Sequence, residues 1–103
     1  MMRVMSFTDL VERTKRETPR SLYNPQFDGF IFTMFEDDED YNDEYNTTSI
    51  NFIKDILNNM YEENKENKNA YPKSLMITLA HAVLVLLDLG FENDEIVYVE
   101  MDI

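Results

Sequence analysis

The chain has no cysteine, a single histidine, two glycines and, over two long stretches, no base. Without cysteine there is no disulfide, no thiolate nucleophile and no thiolate zinc site, and the redox compartment is left open. Gly29 and Gly90 are too few for a phosphate-cradling loop, and no nucleophile elbow or paired metal motif is present. His81 stands within "LAHAVLV", the most apolar part of the chain, where a hydrogen-bonded core histidine is expected rather than a base or a ligand. Carboxylate pairs are plentiful, but an acid–base pair needs two unlike environments that separate its pKa values. A solvated run provides only one. The expectation is a protein that is not an enzyme and uses no cofactor or metal.

"MMRVMSFTDL" offers no apolar run of signal-peptide length before Asp9 and Glu12, so cytoplasmic residence is expected. What the chain does have is 103 residues, 44% of them hydrophobic, with six tyrosines and seven phenylalanines. That is material for one packed domain spanning 1–103.

The net charge of −12 is unevenly placed. Residues 1–35 carry a net of +1, with Arg3, Arg13, Lys15, Arg16 and Arg20 as the bases, and residues 47–73 balance to zero. The excess lies in residues 36–46, with seven acids and no base, and in residues 74–103, with six acids and no base. Direct binding of nucleic acid is disfavoured, because affinity for phosphate comes from Lys and Arg. Basic partners are favoured instead. The cluster Arg13, Lys15, Arg16 and Arg20 reads as a solvated helix face.

Periodicity and caps divide the chain. Ser6 with Asp9 three residues on, then Leu10, Val11 and Thr14, predict a helix over 7–17 that stops before Pro19. "TPRSLYNPQFDG" is loop chemistry, and "GFIFTMF" (29–35), short and rich in aromatic and β-branched residues, predicts a strand covered on both faces. An N-cap among Thr47, Thr48 and Ser49, followed by Ile50, Ile53, Ile56, Leu57, Met60 and Tyr61 on one face, predicts a helix over 49–66. Pro72 suits the start of another helix over 74–89, apolar almost all round and closed by Gly90. That segment is shorter than a bilayer span of ~20 residues and carries Asp88, so a buried central helix is expected and no membrane. "DEIVYVEMDI" alternates Val97, Val99, Met101 and Ile103 against Tyr98, Glu100 and Asp102, a half-buried strand with an acidic outer face.

The fold expected is α+β, about three helices packed on a small antiparallel sheet of two or three strands, with an acidic loop or extension at 36–46. If the strand at 29–35 and the carboxy-terminal strand share a sheet, the two acidic blocks form one negative surface.

"EDDEDYNDEY" (36–45) places seven carboxylates in ten residues. Asp38, Asp40 and Asn42 have the spacing of the first ligands of an EF-hand. However, Asp43 stands where the loop needs glycine and Ser49 where it needs glutamate, so no calcium loop is expected. Extended, ten residues span about 33 Å, close to one turn of duplex DNA, and their seven charges stand against about ten phosphates on one strand. Tyr41 and Tyr45 are interleaved with the acids, and tyrosine is favoured in interfaces.

In composition the chain resembles the DNA-mimic inhibitors that phages and mobile elements use against restriction, repair or CRISPR enzymes. The resemblance implies an inhibitor that occludes the nucleic-acid site of a basic partner, of anti-restriction or anti-CRISPR type. Acidic immunity proteins that neutralise basic nuclease toxins look similar at this level. A small adaptor acting through apolar surfaces is the further alternative. The partner-binding residues expected are Glu36, Asp37, Asp38, Glu39, Asp40, Tyr41, Asp43, Glu44, Tyr45, Glu100 and Asp102, in a monomer or homodimer.

Overall fold

In the computed structural model, residues 3–37 and 45–102 are described. The elements run β1 (Arg3–Ser6), α1 (Phe7–Glu17), α2 (Phe27–Met34), β2 (Glu36–Asp37), β3 (Tyr45–Thr48), α3 (Ile50–Glu66), α4 (Lys73–Asp88) and β4 (Val97–Glu100). The fold is α+β, with four helices and a sheet ordered β1-β4-β3-β2. The sheet is mixed rather than antiparallel throughout: β1 runs parallel to β4, while β3 is antiparallel to both β4 and β2.

Three helices begin and end where local chemistry directs. Ser6 caps α1 by accepting a hydrogen bond from the Asp9 amide at 3.1 Å, and Ser49 caps α3 by accepting from the Phe52 amide at 3.0 Å. α4 ends in a Schellman turn. Gly90 adopts φ 86°, the Phe91 amide donates to the Leu86 carbonyl and the Gly90 amide to that of Leu87. The two carbonyls that follow α4 also receive Arg3, whose guanidinium donates to Leu89 O at 2.7 Å and Gly90 O at 3.1 Å while lying 3.8 Å over the Phe91 ring. Arg3 thereby ties β1 to the far end of the chain. A cation at a helix C-terminus is also electrostatically favoured.

Of the segment 29–35, expected as a strand, residues 29–34 are helical and belong to α2, and Phe35 is its extended C-cap. Two things decide it. Phe27 and Ile31, four residues apart, are both buried, and Phe30 and Met34 pack partly against the same core, which is a helical stripe. Upstream, the Asn24 amide donates to Thr78 Oγ1, its side-chain amide donates to Ser74 Oγ and its Oδ1 accepts from the Gln26 amide. Those bonds to α4 fix the turn from which α2 starts. They overrule a β preference that comes only from side-chain type.

One hydrophobic cluster joins all four helices to the sheet: Leu10 and Phe27, Ile50 and Ile53, Leu79 and Leu86, and Val97 and Val99 are all at most 1% exposed. α4 lies between α1 and α3 but is not buried all round. Leu75, Thr78, Leu79, Ala82, Val83, Val85 and Leu86 face inward, whereas Ala80, Leu84 and Leu87 are exposed and Ile77 and His81 half-buried. A helix layered on one face of a sheet has only part of its circumference to give to the core. Among the described residues no helix is long and apolar enough to cross a membrane.

Candidate partner-binding surface

Strand alternation and register determine which side chains share the uncovered face of the sheet. In β4, Val97 and Val99 point into the core, so Tyr98 and Glu100 point away from it. Pairing carries that polarity across the sheet. Tyr45 lies opposite Glu100, Thr47 opposite Tyr98, and Glu36 opposite Thr47. On the other side Val4 lies beside Tyr98 and Ser6 beside Glu100. The open face therefore has one row Val4–Tyr98–Thr47–Glu36 and a second row Ser6–Glu100–Tyr45. Strand spacing and rise place the Glu36 and Glu100 positions about 12 Å apart.

The two acidic blocks thus meet in one sheet, through β3 pairing with β4 and not through the segment 29–35. The carboxylates of the open face are joined by two half-buried tyrosines. Among the described residues no base stands on this face. On the helical side Arg13 pairs with Asp9 at 2.8 Å, Lys65 with Glu62 at 3.3 Å, and Lys15 lies 6.0 Å from the Tyr23 ring centre.

Asp37 is registered opposite Asn46, while Asp38, Glu39, Asp40, Tyr41, Asp43 and Glu44 lie outside the described residues. The EF-hand spacing falls there too, apart from Ser49, whose hydroxyl is taken up in capping α3.

Asp102 has a different role from Glu100. One carboxylate oxygen accepts from the Thr8 amide at 3.0 Å and the Thr8 hydroxyl at 3.1 Å, and the other accepts a short hydrogen bond from Ser6 Oγ. These bonds, the Ser6 hydroxyl first and the Thr8 amide next, hold its carboxyl below the usual aspartate range. Asp102 is a second cap at the start of α1, with neither oxygen left unbonded. Its partner residues lie more than 90 positions away, so no local pattern in the chain announces the bond.

Sequence reasoning also missed Phe32. Read as part of a covered strand it would be buried; on α2 it falls off the inward stripe and is 46% exposed, edge-on to Phe7 at 5.9 Å. Phe7 in turn meets Phe35, the residue before Glu36. An exposed aromatic ring therefore lies close to the start of the acidic run. Helical periodicity applied to 27–34 would have found it.

Elsewhere, a cleft of about 540 Å³ at the end of α1 is lined by Lys15, Arg16, Arg20 and Tyr23 together with Glu12 and Glu17. Its charges are mixed, and the Tyr23 phenol is pushed up by burial and then by Asp28 and Glu12. No group of three His, Cys, Asp or Glu residues able to hold a metal occurs among the described residues.

Against models of known families, curated proteins and solved structures, the chain matches none.

Proposed function

We propose that the protein is a non-catalytic inhibitor whose acidic sheet face and adjoining run cover the nucleic-acid-binding surface of a basic partner protein. The observation that supports this reading best is the register of β3 on β4. It sets Tyr45 beside Glu100 and carries Glu36 onto the same open face. Long-range attraction to such a face speeds encounter, and aromatic groups that lose water on contact then hold the complex. Tyr45 and Tyr98 are the aromatic groups of the face. A basic nuclease or other nucleic-acid enzyme of the host is the partner class that this charge suits. An immunity protein against a nuclease toxin would use the same face in the same way.

The test is capture of partners from nuclease-treated lysate by the natural protein and by a variant with Asp37→Asn, Asp38→Asn, Asp40→Asn and Asp43→Asn, at about 50 and 200 mM salt, a range over which phosphate-like contacts weaken steeply. Expected is a basic nucleic-acid enzyme retained by the natural protein at low salt and lost at high salt. The variant should associate more slowly, with a flatter salt dependence and an unchanged melting curve. Equal capture by both proteins at both salt concentrations would overturn the reading.

A further inference from the structure

Gly29 follows an aspartate and Gly90 a leucine, so Asp28–Gly29 is the single Asp-Gly or Asn-Gly step in the 103 residues. At such a step the backbone attacks its own side chain most readily, because glycine has no Cβ to hinder the reacting amide and leaves the chain free to turn. Both residues are exposed, and nothing lies within 4 Å of the position a Cβ would take on Gly29. The Gly29 amide stands in the first turn of α2, where helical amides have no intrahelical partner. It donates instead to Oδ1 of Asp28 itself, at 2.8 Å. The nitrogen and the carboxyl that would close a five-membered ring are thus already side by side.

We propose that Asp28–Gly29 is a self-modification site, at which the folded chain converts aspartate to isoaspartate through a succinimide. In the carboxylic-acid form of Asp28, Gly29 N bonds to Cγ, the amide proton passes to the carboxyl, and one carboxyl oxygen leaves as water. The ring so formed contains Gly29 N and the C, Cα, Cβ and Cγ atoms of Asp28. Water then adds at one of the two ring carbonyls. Addition at Cγ restores aspartate, whereas addition at the main-chain carbonyl leaves the chain running through Cβ and Cγ, with a free α-carboxylate. Nothing is oxidised or reduced, and the product has the mass of the starting protein.

Ring closure requires rotation about the Asp28 Cα–C bond out of helical geometry, so the first turn of α2 has to open. That turn is weakly held. α2 has eight residues, Gln26 at its N-cap makes no side-chain cap bond, and a helix this short has little stability of its own. Opening gives up the bond from the Phe30 amide to the Gln26 carbonyl, 3.0 Å long. The Asn24 bonds to Ser74 and Thr78 on α4 lie upstream of the rotated bond. Isoaspartate lengthens the backbone by one carbon between Phe27 and Ile31, the two buried residues of α2, and so puts the helix out of step with the core. The site does not depend on the function proposed above.

The experiment incubates the whole chain for several weeks at physiological temperature and pH, beside the same chain unfolded in guanidinium chloride. The probe is a purified methyltransferase that esterifies the free α-carboxylate of isoaspartate, with labelled S-adenosylmethionine as methyl donor. Methyl acceptance should grow with time in the native protein, at a rate within about tenfold of the unfolded chain, as for a helix end that frays. Electron-transfer fragmentation should place the isoaspartate at position 28 in a peptide of unchanged mass. Asp28→Glu should abolish this signal, because its ring would need six members, and Gly29→Ala should lower it several-fold. Both positions are exposed, so circular dichroism should show the same fold for each variant. No methyl acceptance in the native chain, whatever the unfolded chain does, overturns the proposal, since α2 then shields the step. Acceptance that survives Asp28→Glu unchanged also overturns it, by placing the isoaspartate elsewhere.

Discussion

The open face of the sheet and the outer stripe of α4 are both left to solvent, yet their chemistry is opposed. On the first stand Glu36, Glu100 and two tyrosines with no base among the described residues; on the second stand Ile77, Ala80, Leu84 and Leu87 with no charge at all. The open face thus carries acids without bases, and the outer stripe of the central helix carries apolar side chains without charge. Neither surface takes part in the core that Leu79, Leu86, Val97 and Val99 form beneath them. Stability and surface chemistry are therefore separable here, and substitutions can test how cleanly.

The largest effect should come from crossing the boundary within α4. Leu86 is fully buried, and Leu86→Ala should cost about 2–5 kcal/mol. Leu84, two positions earlier and 49% exposed, should cost within about 0.5 kcal/mol when changed to Ala. Urea unfolding of both variants at low protein concentration measures the contrast. Similar losses at the two positions would mean that the stripe is part of the core after all.

A smaller effect separates the two glycines. Gly90 sits at φ 86° in the turn that ends α4, and Gly90→Ala should destabilise by about 1 kcal/mol. Gly29 lies inside α2 with an ordinary backbone and nothing within 4 Å of an added Cβ, so Gly29→Ala should stabilise by about 0.4–1 kcal/mol. Thermal melts decide both signs. A destabilising Gly29→Ala would argue that 29–34 is not helical in solution.

Comparable in size is a change on the two faces of β3. Thr48 is buried against the core and its hydroxyl has no hydrogen-bond partner, so Thr48→Val should stabilise by about 1 kcal/mol. Thr47, one residue away on the open face, has its hydroxyl 3.4 Å from the Glu36 carbonyl, and Thr47→Val should change stability by less than about 0.5 kcal/mol. Chemical denaturation of the pair tests whether β3 has the face assignment on which the acidic surface depends.

What the amino-acid order conveyed and what it withheld follow the same division. α1, α3 and α4 were legible because Ser6, Ser49 and Gly90 mark their ends and their apolar positions recur at helical spacing over eleven residues or more. α2 was not, because eight residues hold barely two turns and the bonds that start it come from Ser74 and Thr78, some fifty positions away. β1 and β3 were missed because "RVMS" and "YNTT" have no strong alternation of their own. They are strands because Val97 and Val99 provide the buried face against which they pair. Of the candidate surface, the outward set Tyr98 and Glu100 could be read from alternation alone. The adjacency of Tyr45 to Glu100 is a register, and no local pattern encodes it.

The smallest effect concerns two carboxylates only two residues apart. Glu100 lies on the open face, whereas Asp102 accepts bonds from Ser6 and Thr8 at the start of α1. The Asp102 carboxyl is held below its ordinary value, so folding favours its charged form. That contribution is fully present above the ordinary aspartate range and is lost as pH falls through the depressed folded value. Asp102 is fully exposed, so solvent screens the effect and it is modest. Asp102→Asn should therefore lower the melting temperature at pH 7 and make it fall less steeply with acid, the natural and variant curves drawing together as pH falls through the depressed value. Glu100→Gln removes the same formal charge but leaves the cap intact, and should not lower the melting temperature at pH 7. Melting curves from pH 7 to pH 3 for the three proteins make the comparison. If Asp102→Asn and Glu100→Gln behave alike, Asp102 is one more surface acid, and it returns to the set available for binding a basic partner.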